Sequence, residues 1–146
     1  LTEALLLLDG EQGMKEKMEL FSQMDETQQL KETEKSGREL ADRFGLKSIV
    51  ITGVDVVCGD GSVKMGNLVI EENEADWYFS IKEGGSYSGT GDLFASVLSA
   101  GMVKGISMKE CVQKAIAFLA RAIHDAVLEG TDRNDGVCFE KYLKML

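Results

Sequence analysis

One short segment, Ser48-Ile49-Val50-Ile51-Thr52, does most to limit the fold. It is rich in β-branched residues, apolar on both faces, follows a helical pattern directly and stops at Gly53. A run of this kind reads as a buried parallel strand. Val54 to Cys58, Val63 to Glu71 and Asp76 to Ile81 read as further strands, with hairpin turns at Gly59-Asp60-Gly61 and at Glu72-Asn73-Glu74. Upstream, Met14, Met18, Phe21 and Met24 fall on one helix face. From Asp25, placed as an N-cap, a second helix carries Leu30, Gly37, Leu40, Ala41 and Phe44 on one side, and Gly45 stands where a left-handed cap belongs.

Downstream the helical period returns. Leu93, Phe94, Val97, Leu98 and Gly101 form one stripe. Ser107-x-x-Glu110 is a capping box opening a long, nearly all-apolar helix through Cys111, Val112, Ala115, Ile116, Leu119, Ile123 and Val127. Gly130 ends it, Phe139 to Leu146 gives a short terminal helix, and His124 reads as a core or interface residue of the long one. The order is helix, helix, strand, β-meander, then three helices. It predicts the α/β class, with a sheet that mixes one parallel strand with antiparallel edge strands.

Charge and cysteine usage narrow the function classes. The net charge of −9 argues against non-specific nucleic-acid binding, which needs Lys and Arg to displace counterions. The longest aliphatic run, Leu5 to Leu8, is too short to span a bilayer and lacks the basic flank of a signal peptide. Cys58, Cys111 and Cys138 show no CxxC spacing and His124 is the one histidine, so neither a disulfide framework nor a Cys/His zinc site is indicated. They read as three buried or half-buried thiols of a cytoplasmic protein. Gly supplies 16 of 146 residues and Pro none, where about 7% and about 5% are usual. That bias suggests tight backbone approaches more than flexible linkers.

The glycines concentrate in Gly84-Gly85-Ser86-Tyr87-Ser88-Gly89-Thr90-Gly91-Asp92, which runs straight into the Leu93 helix. A glycine-rich bend can aim successive N–H groups at one centre, and a helix N-terminus adds unpaired donors and partial positive charge. The segment is therefore an anion-site candidate. It is neither GxxxxGK[ST] nor GxGxxG after a strand, so the P-loop and dinucleotide readings fail. Asp92 has two readings: a helix N-cap, or a base that takes a proton from an attacking hydroxyl while the turn's amides hold charge on a transferred phosphoryl group.

Gly89-Thr90-Gly91-Asp92-Leu93-Phe94-Ala95 resembles the signature of the ribokinase-like superfamily, and in particular of the pyridoxal (vitamin B6) kinases. Ile49-Val50-Ile51-Thr52-Gly53 resembles that family's strand ending in Thr-Gly at the ATP phosphates, and Leu1-Thr2-Glu3-Ala4 the tail of its Asn-x-x-Glu motif. The resemblance covers essentially the whole chain and implies a three-layer α/β/α sandwich, of which residues 1–146 are the C-terminal half of a single kinase domain. It implies ATP and magnesium as cofactors and transfer of a phosphoryl group to the 5′-hydroxyl of pyridoxal, pyridoxine or pyridoxamine. By the same likeness Asp92 is the base, and Gly89, Thr90 and Gly91 form the anion hole. Thr52 and Gly53 contact the ATP phosphates, and Glu3 helps organise magnesium through water. A homodimer is implied when the protein is intact.

Two alternatives stay open. A sister kinase of the same superfamily, acting on hydroxymethylpyrimidine or a sugar, shares the phosphoryl machinery. A non-catalytic nucleotide-binding or dimerisation module keeps the fold without the chemistry. Half a sheet buries too little apolar surface to offset chain entropy of about 1–2 kcal/mol per residue, so the isolated 146 residues are expected to dissolve poorly or to associate.

Overall fold

The computed structural model describes residues 1–72 and 74–146. They divide into two units, Leu1–Ile81 and Lys82–Leu146, each with a core of its own.

The first unit holds α1 (Thr2–Ser22), α2 (Glu26–Phe44), β1 (Ser48–Val57), β2 (Val63–Glu71) and β3 (Glu74–Ile81). α1 breaks at Gly10, whose backbone is left-handed in φ and extended in ψ. The Leu8 carbonyl next to this break accepts a hydrogen bond from Arg43 Nη1 of α2 at 2.6 Å. α2 begins with a complete capping box: the Asp25 carboxylate accepts from Gln28 N–H, and the Gln28 side chain accepts from Asp25 N–H. It lies close on the sheet because Thr33, Ser36 and Gly37 are small where they face it; a Cβ at Gly37 would stand 2.6 Å from Ile70 Cδ1. Gln29, also buried, donates to the Phe21 carbonyl and accepts from Val57 N–H, joining α1, α2 and β1. Leu8, Phe21, Leu40, Ile49, Ile51, Val54, Val56, Leu68 and Ile70 fill the space between helices and sheet.

The strand order is β1-β2-β3, antiparallel throughout. The α/β class holds, but two expectations about β1 are corrected. The strand does not stop at Gly53; it continues to Val57, absorbing the segment read as a separate strand. Nor is it parallel to its described neighbour, and no parallel partner stands among the described residues. Burial along the strand alternates, full at Ile49 and Ile51 and partial at Val50, so the apolar run does not mark a strand covered on both faces. The register shifts between Ile51 and Val54, where Thr52 and Gly53 together face Asn67. This is a β-bulge, and it changes which side chains point inward: Ile49 and Ile51 before it, Val54 and Val56 after it. The Gly59-Asp60-Gly61 turn forms as expected, held by Asp60 accepting from both the amide and the hydroxyl of Ser62. Those two bonds hold the Asp60 carboxyl below its ordinary pKa. Of the turn at Glu72-Asn73-Glu74, Asn73 lies outside the described residues; β2 and β3 pair from Glu71 and Glu74 onward.

The second unit holds α3 (Thr90–Val103), α4 (Met108–Glu129) and a terminal 3-10 turn (Glu140–Met145). α4 starts at Ser107, whose hydroxyl accepts from Glu110 N–H at 3.3 Å, and ends at left-handed Gly130. It is apolar on one face rather than nearly all round. Cys111, Val112, Ala115, Phe118, Leu119, Ala122 and Ala126 are buried, whereas Gln113, Arg121 and Glu129 are exposed. His124 falls off the buried face; its imidazole is 54% exposed, with Nδ1 2.9 Å from Glu83, so it is not a core residue. α3 and α4 meet tightly where Gly101 lies against Cys111 Sγ. The three cysteines are free thiols, though Cys138 is exposed rather than buried or half-buried.

Candidate functional site

The glycine-rich segment opens the second unit. Gly84, Gly85 and Gly89 have positive φ, while Tyr87 between them is buried with Ala122, Ala126 and Val137. Tyr87 anchors the segment, and its carbonyl accepts from the Thr90 hydroxyl at 2.9 Å. α3 then starts from Gly89, which is left-handed at φ 79°. An L-residue there would be strained by roughly 1–2 kcal/mol. The helical ladder begins with Leu93 N–H donating to the Gly89 carbonyl at 3.0 Å. The amides of Gly91 and Asp92 lie before that point, in the first turn, where no carbonyl precedes them in the ladder. They carry the partial positive charge of the helix start. This is the arrangement an anion needs.

Asp92 is not the N-cap. Gly89 holds that place, and no side chain caps the helix. Asp92 sits in the first turn, exposed, and makes no hydrogen bond or ion pair with the described residues. The capping account of this residue is thereby lost, because the helix begins earlier than the last polar residue before the apolar stripe. Gly91 has no positive φ, and a Cβ there would meet nothing within 4 Å. The conformational demand falls on Gly89 instead.

The other candidate residues lie in the first unit. Thr52 and Gly53 form the β1 bulge, both exposed. Gly53 is left-handed at φ 66°, and its N–H donates to the side-chain oxygen of Asn67 at 3.3 Å. Asn67 is 3% exposed, so a buried amide holds the bulge in shape. Glu3 is an exposed carboxylate in the first turn of α1. Among the described residues no three His, Cys, Asp or Glu side chains gather as a metal-binding group. Gly89, Thr90, Gly91 and Asp92 are thus brought together at one helix start, Thr52 and Gly53 at one bulge, and Glu3 stands by itself.

Two residues that sequence reading passed over hold these features. Asn67 interrupts an otherwise apolar stretch in β2, which is the signal that could have found it. Arg133 donates from its guanidinium to the Gly84 carbonyl, and its own carbonyl accepts from Ser88 N–H at 2.9 Å. No helix is long and apolar enough to cross a membrane among the described residues.

Comparison with known proteins identifies a family and a structural neighbour. Residues 14–136 match the model of the family described as phosphomethylpyrimidine kinase. A crystal structure of a Bacteroides thetaiotaomicron VPI-5482 protein, provisionally assigned as a phosphomethylpyrimidine kinase, superposes with a TM-score of 0.68 at 25% identity. The match covers 77% of this chain and 38% of that one. No curated protein matches the chain. With most of its length matched by the family model, the chain belongs to the phosphomethylpyrimidine kinase family of the ribokinase-like superfamily.

Proposed function

We propose that this chain is the C-terminal half of a single kinase domain that moves the γ-phosphoryl group of ATP onto the hydroxymethyl group of a pyrimidine. The family description and the name of the superposed structure both support a pyrimidine acceptor over the pyridine of vitamin B6. The observation that carries the reading is Asp92: a carboxylate with no structural partner, one residue beyond the glycine turn. Asp92 takes the proton from the acceptor hydroxyl as it attacks. The amides at Gly89, Thr90 and Gly91 hold the charge that builds on the phosphoryl oxygens, the Thr90 N–H leaving its long 3.4 Å bond to the Tyr87 carbonyl. Thr52 and Gly53 contact the remaining ATP phosphates through an exposed hydroxyl and a bulged backbone. Magnesium, when bound, screens phosphate charge, and Glu3 would meet it through water. The intact protein works in the cytoplasm as a homodimer.

A second reading keeps pyridoxal as acceptor. Leu93-Phe94-Ala95 after the Gly-Thr-Gly-Asp motif favours it, by likeness alone. ADP release by the full-length protein with hydroxymethylpyrimidine, pyridoxal, pyridoxine, pyridoxamine and a sugar separates the readings. Highest kcat/KM on the pyrimidine is expected. Turnover of pyridoxal alone would move the assignment to the B6 vitamers, and no turnover of any acceptor would leave the non-catalytic module.

A further inference from the structure

The glycine segment is poorly supported from within. Inside it, Gly85 N–H donates to the Glu83 carbonyl at 2.8 Å, and Thr90 is tied to the Tyr87 carbonyl. Buried Tyr87 and Gly84 rest on α4, and further support comes from the stretch between α4 and the terminal turn. There the Arg133 guanidinium donates to the Gly84 carbonyl. It also lies over Gly85, where a Cβ would stand 3.0 Å from Nη1 and 3.1 Å from Cζ. The Arg133 carbonyl takes the Ser88 N–H. Three residues on, Gly136 lies so close that a Cβ would be 3.0 Å from the Ser88 carbonyl oxygen. The stretch is itself stiff: Asp132 accepts from Asn134 N–H through its carboxylate and from Asp135 N–H through its carbonyl, and Val137 is buried beside Tyr87.

We propose that Arg133 is a positioning residue for phosphate binding. It spans the segment from Gly84 to Ser88 and thereby fixes the path by which the backbone enters the Gly89–Gly91 turn. Arg133 does not touch the reacting atoms in this account; it acts through the shape of the loop. This rests on the kinase reading above. An amide cradle binds well only if its donors are aimed beforehand, and displacement by about 1 Å can cost about 100-fold in rate. A planar guanidinium suits the task because it can donate to one carbonyl while lying flat on a neighbouring glycine, which a lysine ammonium cannot do.

The test uses the full-length protein with Arg133→Ala and Arg133→Lys. Amide hydrogen exchange over residues 84–91 is measured together with KM for ATP, KM for the acceptor, kcat and melting temperature. Expected for Arg133→Ala are faster exchange confined to that segment and a fall of about 10- to 100-fold in kcat/KM for ATP. Acceptor KM should stay within about twofold, and Arg133→Lys should recover part of the loss. If Arg133→Ala does not fold, Arg133→Lys carries the same comparison with a smaller effect. Unchanged exchange with unchanged ATP kinetics, or a rise in acceptor KM alone, would overturn the proposal and leave the kinase reading standing. An inactive wild type would overturn the kinase reading and this proposal with it.

Discussion

The two glycine turns of this chain are held by opposite means. In the first unit, the Thr52-Gly53 bulge is secured from inside a sheet, by the carboxamide of a buried asparagine. In the second, the segment from Gly84 to Gly89 rests on α4 through buried Tyr87 and is strapped from the surface by an exposed arginine and the turn that presents it. A turn built into a sheet cannot loosen without disturbing the strands around it, so damage there is registered as lost stability. A turn strapped from outside can shift while the helices beneath it stay folded. Damage there is registered as lost function.

The sharpest way to press this contrast is Asp92→Asn in the full-length protein. Because Asp92 supports no structure, kcat should fall by about 10²- to 10⁴-fold, with ATP affinity and melting temperature nearly unchanged. A variant with normal turnover would remove Asp92 from the chemistry. Next in size is Asn67→Leu, which leaves the Gly53 N–H without its acceptor. A loss of about 1–3 kcal/mol in denaturant titration is expected, with KM for ATP rising only as far as the bulge relaxes. Gly53→Ala should cost roughly 1–2 kcal/mol by forcing an L-residue to φ 66°. Should either first-unit variant lower kcat/KM without lowering stability, the contrast between the two turns would collapse.

The smallest effect concerns pH. Asp125 of α4 is held below its ordinary pKa by a hydrogen bond from Lys141, 2.5 Å away, and by a second from the Tyr142 hydroxyl. A carboxyl with a depressed folded pKa stabilises the fold above its unfolded value, about 3.9, and that contribution disappears as pH falls through the folded value. Lys141 and Tyr142 are both raised, chiefly by their hydrogen bonds to Asp125, so their contributions are complete below their ordinary pKa values and disappear in strong alkali. Tyr142→Phe removes one donor to Asp125, and the acid unfolding midpoint followed by circular dichroism should move to higher pH. No movement would mean that the Tyr142 bond adds nothing to the seating of the terminal turn on α4.

What could be read from the sequence was whatever depends on neighbours along the chain. Asp25, Gly45 and Gly130 cap as expected and Ser107 forms its half of the capping box, since each satisfies backbone groups within a few residues of itself. Strand continuity through Thr52 and Gly53 was not legible, because the bulge is completed by Asn67, fourteen positions away in β2. The start of α3 at Gly89 was not legible because a glycine cap makes no side-chain bond to announce it, and Asp92, of the usual capping type, stands directly before the apolar stripe. His124 was misplaced because α4 was read as apolar all round. Its buried positions at Ala122 and Ala126 leave residue 124 near the opposite side at 100° per residue. At the site, the motif itself was legible; the residues that hold it, Asn67 and Arg133, come from elsewhere in the chain.

The bulge in β1 also limits how the length of this strand can vary. Inward side chains occupy odd positions before it and even positions after it. Deleting either Thr52 or Gly53 alone would erase that offset. With the first half of the strand fixed, the remaining residues would alternate regularly and keep Ile49, Ile51, Val54 and Val56 on the inward face. Loss of one bulge residue is therefore compatible with the interior, whereas loss of both Thr52 and Gly53 would turn Val54 and Val56 outward.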